Sequence, residues 1–444
     1  MILSIKQNYQ NLKNNSTLIG NHLLVIYAYI SPIYFRALAS IIFILILLFL
    51  IRGNYKHYLS ESISNNIVKA FLLYIAVHII WTIGTDSFEN IESLKKLKYF
   101  LYPLLILSFI DYKFIIRIIV AFVLGMLTSE IISYLIHFNI FPYKYELFNI
   151  MIYKAQDIDN PTPFLHHSFY NVFLSIVVGI LLYGFLTREN NLFIKCITLI
   201  SITTASINMV LIGGRAGYVS FVFVILITLY LIYGKKFFKI ILPISLLSLM
   251  IFFSLAYNKS DKFKQRMHDT IRDKNEMSKE NKNLNTSIGL RLGIWKYSYE
   301  VISENPIFGV GTKDDLKEVI KVIPDRYGYI RDIHHVHNEY IKNLLQFGII
   351  GFVFFINIFY QIFKIKLDNL AYKNILIIFT SAFMILIIFD IMRTETWLVF
   401  IFMVSVLSSK ANFLLEKQIK KLDYKSILKY IIAILVFIIY GLAQ

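Results

Sequence analysis

The sequence predicts an all-α polytopic membrane protein, with about 12 membrane-spanning helices and one large loop outside the bilayer. Three observations carry that expectation. Hydrophobic residues fill 57% of the 444 positions, charged residues only 16%, and the mean hydropathy is +0.62, which excludes an ordinary soluble domain. The apolar residues come in successive runs, long enough to cross a hydrocarbon core of ~30 Å as helices and too long for barrel strands. Basic residues gather in the short segments between runs, roughly twice as many on one side as on the other once the long loop is set aside.

Taken in order, the amino-terminal segment carries Lys6 and Lys13, reads as cytoplasmic, and is followed by no small-residue cleavage site. A short first span covers Gly20 to Ile33 and turns at Ser31-Pro32. Arg36 opens the second, which ends near Arg52. The third and fourth run from Ile67 to Thr85 and from Tyr99 to Ile110, joined by the charged loop Asp86 to Lys98. The fifth covers Phe114 to Phe138 and leads into a loop with Pro142, Pro161 and Pro163. The sixth begins at Phe164-Leu-His166-His167, the seventh covers Leu192 to Ile212, and the eighth ends at Tyr233. Gly213-Gly214-Arg215-Ala-Gly217 is the tight turn between those last two. Lys235, Lys236 and Lys239 precede the ninth, which ends near Tyr257. After the long polar segment come spans at Glu339 to Phe363, Ile375 to Met392 and Trp397 to Ser408. A last apolar run, Ile427 to Tyr440, has the length of a thirteenth.

Three segments follow from this reading: helices 1–9 in residues 1–257, a large loop at 258–336, and the remaining helices in 337–444. A net charge of +17 raises the question of nucleic acid, but most of the excess lies where the positive-inside rule puts it, so no nucleic-acid partner is expected. The single cysteine, Cys196, falls inside an apolar run and leaves no intramolecular disulfide to staple the loop.

The residues able to carry chemistry cluster at one face. Arg215, between glycines at the mouth of two spans, is either an interfacial arginine reaching to headgroups or a phosphate clamp, since a guanidinium fork matches phosphate oxygens. Arg291 lies in the loop among Leu290, Leu292, Ile294 and Trp295. A charge in such a setting needs a partner, which an anion, Glu300 or Glu304 could supply. The segment Glu304-Asn-Pro-Ile-Phe-Gly-Val-Gly311 reads as a helix end and a glycine turn. His334, His335 and His337 lack the spacing of a metal site, so neither metal nor cofactor is expected, and an imidazole capping the next span with Asn338 is the plain alternative. Gly348 and Gly351 form a small-x-x-small pair suited to close helix packing.

One pattern is more specific. His337-Asn338, nine residues, Gly348, two residues, Gly351 resembles the signature of the O-antigen ligase and polymerase family of membrane glycosyltransferases. An arginine after a seventh span and another in the large loop complete the likeness. The resemblance implies transfer of a glycan from an undecaprenyl diphosphate carrier to an acceptor hydroxyl on the periplasmic face of the bacterial inner membrane. It also makes His337, Arg215 and Arg291 the candidate catalytic residues, with both arginines on the diphosphate. Arg36, His166, His167, His335 and Asn338 form a wider set of candidate substrate contacts at the same face. The layout, with a single dominant basic loop, is nearest to the ligase, whose acceptor is lipid A-core. An O-antigen polymerase or a protein oligosaccharyltransferase of the family is the alternative, and a transporter of lipid-linked sugars a more distant one.

Overall fold

A computed structural model describes residues 2–83, 95–147, 150–155, 160–189, 191–278, 283–312 and 314–409. The apolar run Ile427 to Tyr440 and most of the loop at 86–98 lie outside the described residues. Helix α1 (Ile2–Ile30) is continuous over 29 residues, starting well before the expected span. Nothing interrupts it until Ser31-Pro32, where the proline disfavours helix in the residue before it. Its apolar half docks through Gly20 and Asn21. A Cβ at Gly20 would lie 2.4 Å from the Phe109 ring, and the buried Asn21 amide donates to Phe109 O at 2.6 Å.

A 3-10 turn at Phe35–Ala37 leads into α2 (Leu38–Arg52). Helices α3 (Tyr55–Ser64) and α4 (Asn66–Ile80) are bent by 91° at Asn65, whose side chain caps α4 by accepting the Ile67 N–H at 2.9 Å. The third expected span is thus entered from a helix lying across it. Next come α5 (Tyr102–Phe109) and α6 (Tyr112–His137). A small antiparallel hairpin, β1 (Lys144–Leu147) and β2 (Ile150–Lys154), then pairs Tyr145 with Tyr153, an element the apolar pattern did not signal.

Helix α7 (His167–Thr187) is the centre of the bundle, with Tyr170, Val172, Phe173, Leu174, Ile176 and Val177 all fully buried. Around it pack α6, α8 (Leu192–Ile212), α9 (Arg215–Tyr233) and α15 (Leu370–Phe389). At the crossing of α7 and α9 a Cβ on Gly217 would sit 2.2 Å from Asn171 Cβ, so glycine lets the start of α9 lie directly on α7. Helix α10 (Leu242–Lys259) leaves Ile244, Leu247, Met250 and Ile251 exposed, a surface suited to lipid.

The long polar segment folds into α11 (Asp261–Ser278), α12 (Ser287–Glu304), α13 (Asp315–Val322) and a 3-10 turn at Asp325–Asp332. It has its own small core of Ile294, Tyr297, Val301, Val319, Ile323, Ile330 and Val336, joined by Leu345 of α14 (Glu339–Lys364). That last helix is broken at Gly348, where φ is +58° and ψ −162°. The residues after Glu304 clasp the break: Val310 N–H donates to Leu345 O (2.8 Å), Gly311 N–H to Gln346 O (3.0 Å) and Ile349 N–H to Pro306 O (2.9 Å). Gly351 packs against α4, where a Cβ would lie 3.1 Å from Val77 Cγ1, as a small-residue pair leads one to expect. Gly348 instead meets backbone, with a Cβ there falling 2.3 Å from Ile307 C and O.

Among the described residues, 8 helices are long and apolar enough to cross a membrane, and the α3–α4 pair makes up to 9. The remaining expected spans correspond to α1, α5 and α16 (Thr394–Leu407), which lie at the expected places but fall short in length or apolarity. The fold is a polytopic helical bundle with a helical cap, and the count of 12 is not reached on those criteria.

Candidate active site

Arg215 is the first residue of α9. Gly213 closes α8 in the left-handed conformation (φ +78°), which glycine adopts freely, and Gly214 caps α9. The guanidinium reaches up to the cap rather than into lipid. Its Nη1 lies 3.2 Å from Asp273 Oδ2 and 3.4 Å from Thr270 Oγ1, both on α11. Asp273 is almost fully buried, and the same Oδ2 accepts the Ile288 N–H of α12 at 3.4 Å. One carboxylate therefore ties the membrane turn that carries Arg215 to the helix that carries Arg291.

Arg291 lies one turn into α12, a helix capped by Thr286, whose hydroxyl accepts the Gly289 N–H at 3.0 Å. Its Nη1 donates to Ser287 O and Oγ at 3.4 and 3.3 Å, while its Nε is enclosed with no hydrogen-bond partner among the described residues. Neither Glu300 nor Glu304 pairs with it. Burial pushes its pKa below the ordinary arginine value, Asp390 opposes that, and Arg215 adds to it. Arg291 thus lies within electrostatic reach of Arg215 and of Asp390. One turn further along α12, Trp295 Nε1 donates to Val336 O at 2.8 Å and fixes the strand that delivers His337.

His337 has φ +51°, a left-handed backbone that costs a residue with a Cβ about 1–3 kcal/mol. Two contacts accompany that conformation. The His337 N–H donates to His335 Nδ1 at 3.3 Å, and the two rings pack with centroids 3.9 Å apart. Its own Nδ1 is enclosed and faces Asp390 Oδ1 at 3.7 Å, just beyond hydrogen-bond length. Burial alone would raise the Asp390 carboxyl. His337, the Ile391 N–H (2.8 Å) and His335 outweigh burial and hold it below the usual carboxylate range. The His335 ring is pushed down to about 4, first by burial and then by His337, Arg393 and Lys342, against the pull of Asp390. It is neutral at pH 7.

Asp390 is held in place from α14. The buried Glu339 accepts the Met392 N–H at 3.0 Å and Lys342 Nζ at 3.2 Å, clamping the 390–393 linker to the helix that begins beside His337. Asn338 is the cap of that helix, its side chain accepting the Ile341 N–H at 3.0 Å. His166 caps α7, its ring lies on that of His167 (4.2 Å), and burial followed by Arg393 lowers its pKa while Asp390 raises it. That places it on the edge of the same cluster. Arg393 rests over the Phe169 ring at 5.3 Å. His334 is exposed, as is Arg36 on the turn between α1 and α2, and among the described residues no hydrogen bond or ion pair joins Arg36 to the other candidates.

The sequence reading singled out none of Asp273, Glu339, Asp390 and Arg393 as a site residue. A lone Asp in a charged loop carries no signal, and contacts between residues 215 and 273, or 337 and 390, have no spacing to read. The donor atoms of His335, His337 and Asp390 also lie within 4.8 Å of one another, close enough to hold a cation together. The linear spacing of the histidines concealed this. Arg291, Arg393 and Lys342 all act on the same cluster and oppose a second positive charge there.

These features define a class: a polytopic helical membrane protein with two arginines and a histidine–aspartate pair converging beneath a helical cap. Residues 197–356, a little over a third of the chain, match the Wzy_C, O-antigen ligase family, and the match contains Arg215, Arg291 and His337. Over that stretch the chain is similar to the O-antigen ligase family. It is also similar to an uncharacterized protein of Haemophilus influenzae, 27% identical over 187 residues. That similarity covers 40% of this chain and 46% of the relative, so the chain spans a little under half the length of the protein it matches.

Proposed function

We propose that the protein is an O-antigen ligase of the inner membrane, transferring a glycan from undecaprenyl diphosphate to a sugar hydroxyl of lipid A-core on the periplasmic face. The observation that carries this is the convergence of Arg215, Arg291 and the His337–Asp390 pair, drawn from four separate elements, at one end of the bundle. The acceptor oxygen attacks the anomeric carbon, the bond from that carbon to the phosphate oxygen breaks, and the configuration inverts. With Nδ1 turned to Asp390, His337 keeps its N–H on that side and offers Nε2 to the acceptor proton, an effect of ~10²–10⁴-fold. Asp390 orients the ring and stabilises it once protonated. The departing diphosphate gathers negative charge, which Arg291 and Arg215 meet as preorganised donors, each worth ~3 kcal/mol in a site of this kind. With that charge met by arginines, no metal is required, and EDTA should leave transfer intact.

The choice of ligase over polymerase rests on the single basic cap, which suits a lipid-linked donor meeting a bulky anionic acceptor. The test is the lipopolysaccharide of cells lacking the protein. Bare lipid A-core, with full-length polymer retained on its carrier, is the expected result. Core capped by one repeat unit would instead identify a polymerase, and an unchanged ladder would remove both readings.

A further inference from the structure

Beyond Arg215, on its cap side, lies a cleft of about 540 Å³, within the ~300–1,000 Å³ typical of small-molecule sites. Its walls are α11 and the start of α12, and its charged lining is Arg215, Arg266, Asp269, Arg272, Asp273 and Glu276. Formal charges balance, but the partners are unequally engaged. Asp273 holds Arg215 at 3.2 Å, Asp269 holds Arg272 at 3.0 Å, and Glu276 accepts the Asn283 amide at 3.3 Å. Arg266 has no ion pair among the described residues. Its Nε is enclosed and meets no acceptor, which leaves a charged donor unsatisfied. This side chain is packed rather than waving in solvent: a Cβ on Gly213 would lie 3.4 Å from that Nε. Thr286 and Ser287 bring the first turn of α12 to the same cleft, and the start of an 18-residue helix carries partial positive charge.

Position decides what kind of anion belongs there. Arg291 feels Arg215 and Asp390, and the cleft is lined by Arg215 but by neither Arg291, His337 nor Asp390. The cleft meets the candidate site at Arg215 and at Ser287, to which Arg291 Nη1 donates, and the histidine is not in its lining. In an inverting displacement the leaving oxygen departs opposite the attacking hydroxyl. If the hydroxyl is at His337, the phosphates extend toward Arg215 and past it. We propose that Arg266 is a third phosphate-binding side chain, seating the distal phosphate of the lipid-linked diphosphate in this cleft. The assignment rests on the donor chemistry proposed above and adds to it a residue and a direction for the leaving group.

The test uses the full-length protein in detergent, with inorganic diphosphate and inorganic phosphate as probes and the lipid-linked donor in the transfer assay. Wild type should bind diphosphate more tightly than phosphate. Arg266→Gln should weaken diphosphate binding roughly tenfold to a hundredfold, the range for losing a charge-assisted contact. It should change phosphate binding less, and raise the KM for donor more than it lowers kcat. Lys321→Gln, exposed on α13, paired to Glu318 and outside the cleft, should behave as wild type. If Arg266→Gln fails to fold, Arg266→Lys serves, because an ammonium keeps the charge but not the fork and should also bind diphosphate more weakly. Unchanged diphosphate affinity in either Arg266 variant, alongside weakened binding in Arg215→Ala and Arg291→Ala, overturns the Arg266 assignment and leaves the ligase reading standing. Failure of wild type to bind diphosphate or to use the lipid-linked donor overturns both.

Discussion

Gly348→Ala is the substitution whose cost the structure fixes best. At φ +58° and ψ −162° the residue occupies a region essentially closed to side chains, worth about 1–3 kcal/mol against alanine. The new Cβ would also fall 2.3 Å from Ile307 C and O, backbone atoms that cannot rotate away, so the 306–311 segment must move, at a further cost of about 1–3 kcal/mol. Together these give roughly 2–6 kcal/mol, and even the lower end is about 30-fold in a local opening equilibrium. Hydrogen exchange of the Val310, Gly311 and Ile349 amides, which cross the clasp, reads that equilibrium directly. Gly184→Ala is the control, since a Cβ there meets nothing within 4 Å. Wild-type protection of those three amides in Gly348→Ala would refute the argument that glycine is needed for the clasp rather than for helix packing.

Four further outcomes are expected. His337→Ala should lower transfer by ~10²–10⁴-fold, and Asp390→Asn should lower it less; wild-type turnover in Asp390→Asn would argue against the pairing. Asp273→Asn should impair transfer although the residue is remote from the histidine, because it loosens both Arg215 and the Ile288 amide, and near-normal turnover would show the bridge to be dispensable. The His335 ring, held near 4 when folded and titrating near 6.5 when free, should make the His337 strand lose protection as pH falls from about 6.5 to about 4 and change little below that. His166, lowered in the same way, acts in the same direction, and flat exchange across that window would contradict both. Finally, in a Cys196→Ser background a cysteine at Lys274 should label from outside intact cells and one at Lys236 should not; the reverse pattern would invert the orientation.

Much of this was legible in the chain. Leu192 to Ile212 and the end of the next helix at Tyr233 were legible, because an apolar run stopped by glycine admits few other ends, but that helix starts at Arg215, inside the turn expected at 213–217. What escaped were features set by contacts between distant segments. The continuation of α1 back to Ile2 depends on polar residues that have no reason to be helical until the bundle holds the apolar half. The 91° bend at Asn65 and the break at Gly348 are backbone events inside runs whose hydrophobicity is uninterrupted. In the site, arginine and histidine announced themselves by placement. The carboxylates that position them did not, since Asp273 is one of several acids on a charged helix and Asp390 follows His337 by half a hundred residues.

The small core of the cap has a bearing on how this protein could be recombined with its relatives. Ile294, Tyr297, Val319 and Ile330 close over Leu345, which belongs to a bundle helix, and the chain at 306–311 is stitched by backbone to residues 345–349. A chimera cut at the polar boundaries, exchanging residues 258–336 alone, would leave a foreign cap facing a native Leu345 and a native Gly348 facing a foreign clasp. A graft that runs on through Gly351 carries its own closing leucine and its own glycine break. Where the seam falls, rather than how similar the two caps are, should then decide whether such hybrids insert as folded proteins.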